Sequence, residues 1–140
     1  MIKTFAILFG IILLVVGVLG FVPGITTDQM LLGIFHVNPA HNVVHLLSGA
    51  AALWAGFTSV GASKNYFRIF GLVYGLVAVL GFFVGDGLLL GLISNNMPIT
   101  WLHVAIAALC LIVGFAPLGE NRAAYGSAPD AMPVTKDTRV

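Results

Sequence analysis

The sequence predicts an all-α fold. The expected form is an integral membrane four-helix bundle made by tandem duplication of a transmembrane helical hairpin, with a pseudo-twofold axis along the membrane normal. Three observations support it. Only 8% of the 140 residues are charged and 59% are apolar, with a mean hydropathy of +1.06, whereas a soluble domain carries about a quarter charged residues. Between Lys3 and Glu120 the only formal charges are Asp28, Lys64, Arg68 and Asp86, too few to build a water-facing surface. The two halves of the chain also share a pattern of glycines, asparagines and histidines. The single cysteine, Cys110, excludes a secreted disulfide scaffold, and a net charge of +1 without a basic face excludes nucleic-acid binding.

Four charge-free runs set the spans: Phe5 to Val22, Val43 to Val60, Ile69 to Gly85 and Trp101 to Leu118. A helix needs roughly 20 apolar residues to cross the hydrocarbon, with about 17 the lower limit, and no run alternates as a membrane strand would. With their ends extended, the helices are expected at about 4–22, 40–60, 66–85 and 98–118, within a transmembrane domain over residues 1–118.

Helix 1 follows Lys3, as in a signal peptide, but its apolar length is greater and no small-x-small cleavage site follows at Phe21–Val22–Pro23–Gly24. Helix 2 begins after Asn38–Pro39, an asparagine cap with proline at the first helical position. Leu31 to Val37 is then left outside it, expected as a short interfacial helix or re-entrant turn, with Leu88 to Ser94 as its duplicate. Mid-span Trp54 is expected to pack. Helix 3 follows a turn around Lys64 and Arg68, and Arg68 is expected to snorkel to headgroups. Trp101 anchors the outer start of helix 4, and Cys110 fills space within it. Residues 119–140, rich in Ala, Pro and small polar residues, are expected to be a disordered cytoplasmic tail.

All six basic residues fall on one side, and the loops Pro23 to Asn42 and Asp86 to Thr100 hold none. The positive-inside rule then places both the N- and C-termini in the cytoplasm. Leu31–Leu32–Gly33 recurs as Leu89–Leu90–Gly91, and the same offset of 58 residues maps Asn38 onto Asn96 and His45 onto His103. An offset of 61 maps Phe9–Gly10 onto Phe70–Gly71 and Leu19–Gly20–Phe21 onto Leu80–Gly81–Phe82. Each unit holds two spans, so the second copy inserts in the same orientation as the first. Gly10, Gly17, Gly20, Gly71 and Gly75 are expected to let helices approach closely inside the bundle, with Gly71-x-x-x-Gly75 as an alternative self-association face.

The most informative segment is Phe35 to Gly49, which carries His36, His41 and His45. His41 and His45 share a helix face. His45 and His103 each lie six residues past equivalent starts, Pro39 and Met97, hence at matched depth about 9 Å along their helices. Polar residues inside spans default to functional hypotheses. In the structural reading, a cluster of Asn38, His41, Asn42, His45, Asn96 and His103 bonds across helices and locks their register, and no cofactor is involved. Three functional readings compete with it. A haem b would take His45 and His103 as axial ligands. A transition metal would take His36, His41 and His45, with His103 as a further ligand, or His41, His45 and His103. A proton or small-solute carrier would use the histidines as titrating groups, although helices 1 and 3 offer few polar groups beyond Tyr74. The chain has no nucleophile–base pair, phosphate-binding loop or carboxylate dyad, so it is not expected to be an enzyme.

Val37–Asn38, His41–Asn42, Val44–His45 and Gly49, with Phe67–Arg68–Ile69–Phe70–Gly71 and Leu102–His103, resemble a family of small bacterial four-helix membrane proteins, the domain of unknown function 4383. The resemblance runs from helix 1 to helix 4, and the N-x-x-H-N-x-x-H element is its most specific part. It implies a multi-pass protein of the bacterial plasma (inner) membrane and brings no activity with it. His36 lies outside that element. The expected role is a non-enzymatic structural or accessory subunit of a larger membrane complex, with the lipid bilayer as its other partner. The haem- or metal-binding redox protein is the main rival and the carrier the second.

Overall fold

The computed structural model describes residues 1–118; the expected disordered tail lies outside the described residues. The order is α1 (Ile2–Leu19), β1 (Thr26–Thr27), β2 (Met30–Leu31), β3 (Phe35–His36), α2 (Pro39–Thr58), α3 (Val60–Val84), β4 (Gly87–Leu89), β5 (Ile93–Asn95) and α4 (Met97–Phe115). Among them α1, α3 and α4 are long and apolar enough to cross a membrane. The 20-residue α2 is not in that set, because its first half carries His41, Asn42, His45 and Ser48, all buried inside the molecule.

Glycine sets the helix pairing. A Cβ added at Gly10 would stand 2.8 Å from the Gly49 carbonyl and 3.0 Å from Leu53, and one at Gly17 would stand 2.8 Å from Leu46. At Gly20 an added Cβ would collide with the Asn42 side chain, and at Gly56 it would lie 2.7 Å from Ile7. Thus α1 and α2 run antiparallel in backbone contact along their whole length. In the α3–α4 pair, Gly71 faces Leu111 (2.8 Å), Gly81 faces Thr100 (2.5 Å) and Gly114 faces the Arg68 backbone (2.9 Å). Gly75 differs from the expectation: its nearest neighbour, Ala107, would be 3.8 Å away, so it brings no backbones together.

The two helix pairs meet in an apolar cluster near the α2–α3 connection, where Ile2, Ala6, Ala52, Ala55, Tyr66, Phe67, Cys110 and Val113 are buried together. Cys110 is fully enclosed there, as a filler should be. At the opposite end a smaller cluster of Leu31, Val37 and Ile99 lies under the loops.

The loops correct the all-α expectation. Leu31–Val37 and Leu88–Ser94 are neither interfacial helices nor re-entrant turns; they belong to antiparallel hairpins, β2 with β3 and β4 with β5. Both hairpins turn on a Leu–Gly pair in the left-handed region, Leu32 and Gly33 at φ 55° and 70°, Leu90 and Gly91 at 53° and 71°. Glycine adopts that region freely, whereas leucine incurs about 1–2 kcal/mol there. The Leu–Gly repeat in the sequence is therefore a turn motif, and pairing the strands satisfies backbone groups that an irregular loop would leave open.

The α2–α3 connection is also corrected. Helix 3 begins at Val60, and a single residue separates it from α2. Ser59 caps α3 by accepting from Ala62 N (3.0 Å), and the Ser63 hydroxyl donates to the Ala55 and Ser59 carbonyls. Lys64 therefore lies inside α3 and is buried. Arg68 reaches across to the last turn of α4: its Nε donates to the Gly114 carbonyl (2.9 Å) and its guanidinium lies 4.9 Å from the Phe115 ring centre. It thereby satisfies a carbonyl in the last turn of α4. Trp54, expected to pack, is 69% exposed.

Both helix starts were legible in the sequence. Asn38 Oδ1 accepts from His41 N (2.9 Å) and Asn96 Oδ1 from Ile99 N (3.2 Å). Each amide also crosses to the other half of the chain, Asn38 Nδ2 donating to the Leu92 carbonyl and Asn96 Nδ2 to the Ile34 carbonyl, both at 2.8 Å. Asn38→Ala or Asn96→Ala is expected to cost about 1 kcal/mol for the cap and a further ~1 kcal/mol for the tie. The Ser substitutions keep the cap and lose only the tie. Denaturation midpoints in detergent test this, and Ser variants as weak as the Ala variants would show that the caps contribute nothing.

Candidate metal centre

The asparagine cap starts α2 at Pro39, and the resulting register places His41 and His45 one turn apart on its inner face. On α4 the equivalent cap brings His103 to the same level. All three rings are buried, at 4%, 7% and 4% exposure. Their potential ligand nitrogens lie within 4.8 Å of one another. The His41 ring stacks on His45 with centres 4.8 Å apart and on His103 at 5.9 Å. His36, on β3, is half-buried and outside the group.

The hydrogen bonds assign the protons. His41 Nδ1 lies 2.9 Å from the Ser94 backbone carbonyl, which can only accept, so in the neutral ring the proton sits on Nδ1. His41 Nε2 is then a lone pair, and it accepts from His45 Nε2 at 2.9 Å. His45 Nδ1 is left as a bare lone pair with no partner. A ring N–H held by a backbone carbonyl is the outer-shell arrangement that orients histidine toward a metal. Here β5 supplies that carbonyl. The strand is fixed by Asn95, whose Nδ2 donates to the Gly85 carbonyl (2.8 Å) and to Thr100 Oγ1 (3.0 Å).

Three buried side-chain polar atoms among the described residues lack a hydrogen-bond partner: His45 Nδ1, His103 Nδ1 and the Tyr74 hydroxyl. All three residues border one cavity. Tyr74 packs on His103 with ring centres 5.3 Å apart. Buried polar groups are ordinarily paired, so three unpartnered atoms on residues around one cavity make this the strongest candidate site among the described residues.

The six residues expected as one polar cluster therefore divide. His41, His45 and His103 converge, Asn38 and Asn96 tie the hairpins, and Asn42 lies against Gly20 on α1. The cavities beside the imidazoles, about 90 and 120 Å³, are far smaller than the several hundred Å³ of a cofactor pocket. They leave no room for a porphyrin between His45 and His103. Ser94, Asn95 and Thr100 support the site and were not read from the sequence, whereas Tyr74 was read only as a polar group within a span. The traceable signal was Thr100, which aligns with Asn42 under the 58-residue offset.

Fold and site together define a class: a mostly helical protein with membrane-length apolar helices and a buried triad of imidazoles. Within that class the chain belongs to the family described as Domain of unknown function (DUF4383), which matches residues 3–116. No curated protein and no solved structure matches the chain.

Proposed function

We propose that the chain is a four-span bacterial inner-membrane protein that binds one transition-metal ion through His41, His45 and His103, beneath its outer face. The observation that carries this reading is the convergence of three buried imidazoles whose ligand nitrogens lie within 4.8 Å. Imidazole suits copper, zinc, iron and nickel. No carboxylate joins the group, so the ion keeps its full charge in a low-dielectric setting. The solvation cost of an ion grows with the square of its charge, which favours monovalent copper over a divalent ion. The protein acts by binding, and no catalytic step is assigned to it.

Several features support four spans and a duplicated hairpin. Because α1 and α2 touch along their full length, a membrane deep enough for α1 encloses α2 as well. The close contacts also correspond between halves: Gly10–Leu53 with Gly71–Leu111, Gly20–Asn42 with Gly81–Thr100. The crossed ties from Asn38 and Asn96 are what a twofold axis along the normal would generate. Lys3, Lys64 and Arg68 all lie toward the end remote from the histidines, consistent with cytoplasmic termini.

The accessory-subunit reading needs a lipid-facing stripe of small residues, yet most of the close-packing glycines are used within the chain and most large exposed side chains are apolar. The carrier reading needs a polar route through the protein, and the cluster around Phe67 and Cys110 fills that half with apolar groups.

Protein purified from its host membranes, or reconstituted with copper(I), should carry close to one metal ion per chain by elemental analysis. In vesicles with the cytoplasmic face inside, an impermeant chelator should remove the ion. Metal-free protein that also rejects copper(I), zinc and iron would end the metal reading. Stripping only from inverted vesicles would reverse the orientation.

A further inference from the structure

Resting on the metal reading, we propose that the bound ion keeps an open coordination position facing the cavity beside Tyr74, and that this position takes a small uncharged diatomic ligand of the dioxygen, nitric oxide or carbon monoxide type. The cavity measures about 90 Å³, and cavities of roughly 150 Å³ hold benzene or xenon. The ligand is therefore limited to a few heavy atoms. Its walls come from α2, α3, α4 and the β4–β5 hairpin, and none of the residues lining it is charged. A charged ligand would lose its hydration there without compensation.

Access runs from the lipid side. Val44 and Val73 line the cavity and are themselves 42% and 48% exposed, on helix surfaces that face the bilayer in the four-span arrangement. Small uncharged gases partition into that phase. Three imidazoles leave a fourth position on a tetrahedral ion. Tyr74 lines this cavity, and a hydroxyl close to a bound diatomic ligand decides its retention. A second cavity of about 120 Å³ occupies the equivalent place against α1 and the β2–β3 hairpin, with Val16 at the position of Val77, but Tyr74 and Ser48 do not line it. That asymmetry selects the first cavity.

The test is infrared spectroscopy of copper(I)-loaded full-length protein under carbon monoxide, without oxygen. The unmodified protein should bind one copper and show a single copper-carbonyl stretch. Tyr74→Phe should keep the copper and shift that band. Val77→Phe, which fills the cavity, should keep the copper and weaken carbonyl binding at least tenfold, while Val16→Phe leaves it unchanged. Val73→Phe, at the exposed rim, serves if Val77→Phe fails to fold. Copper-loaded protein with no carbonyl band, or a band indifferent to every cavity-filling variant, would overturn the open-position proposal and leave the metal reading intact. Failure to bind copper, zinc or iron overturns both.

Discussion

Gly10→Val is expected to abolish the folded protein or leave it several kcal/mol less stable. The Cβ alone would stand 2.8 Å from the Gly49 carbonyl, a backbone atom that cannot rotate away, and 3.0 Å from two atoms of Leu53. Overpacking a close contact costs about 1–3 kcal/mol when side chains can yield, and here a helix must move instead. In lipid, little hydrophobic drive restores the separated pair. Gly75→Ala is the control. Its new methyl meets nothing nearer than Ala107 at 3.8 Å, so it is expected to gain about 0.5–1 kcal/mol from helix propensity. Unfolding in mixed detergent, followed by circular dichroism, measures both. Equal losses for the two variants would mean that glycine acts here through flexibility rather than through close approach.

The same contrast explains how much of the fold could be read in advance. Membrane-length apolar runs, asparagine caps and backbone-approach glycines are signals local to one helix, and they placed α1, α2 and α4 to within a few residues. The third helix was started late because Lys64 resembled a turn residue. What decides that start is Ser59, a cap whose partner lies three residues on and whose reversal of the chain takes a single residue. The hairpins were missed for a related reason. Leu–Gly is not a customary turn pair, and the left-handed leucines are held by pairing with strands elsewhere in the loop. Gly75 faced the wrong prediction because the helix it meets carries Ala107 where the other half carries Gly49, so the two copies divide their bulk differently between partners.

The histidines were legible as a group, but their relation was not. Matched depth from the repeat brought His45 and His103 level, and i, i+4 spacing added His41. Which atoms carry protons depends on the Ser94 carbonyl, a backbone group more than 50 residues from His41 that no side-chain pattern announces. Nor could the sequence distinguish paired imidazoles, which would stabilise the fold, from unpaired ones, which would weaken it. That distinction separates a structural lock from a binding site.

It also yields the sharpest expected result, for His103→Leu. If the histidines only locked the helices, removing one would destabilise the protein. Here His103 Nδ1 is buried without a partner, and an unsatisfied buried polar atom costs about 1–3 kcal/mol. Leucine fills a similar space among Tyr74 and the His41 ring without that cost. Metal-free His103→Leu is therefore expected to be at least as stable as the unmodified chain, and up to ~1–2 kcal/mol more so. Its copper(I) affinity should fall by more than about 100-fold, beyond the 10–100-fold typical of losing an outer-shell partner. His36→Ala, outside the triad, should leave both quantities unchanged. His41→Leu should lose metal as well, but here stability should fall, because it orphans the Ser94 carbonyl and the N–H that His45 donates to His41. Chemical denaturation with and without copper(I) gives all the comparisons. A destabilised His103→Leu that retained its metal affinity would return these residues to a purely structural role.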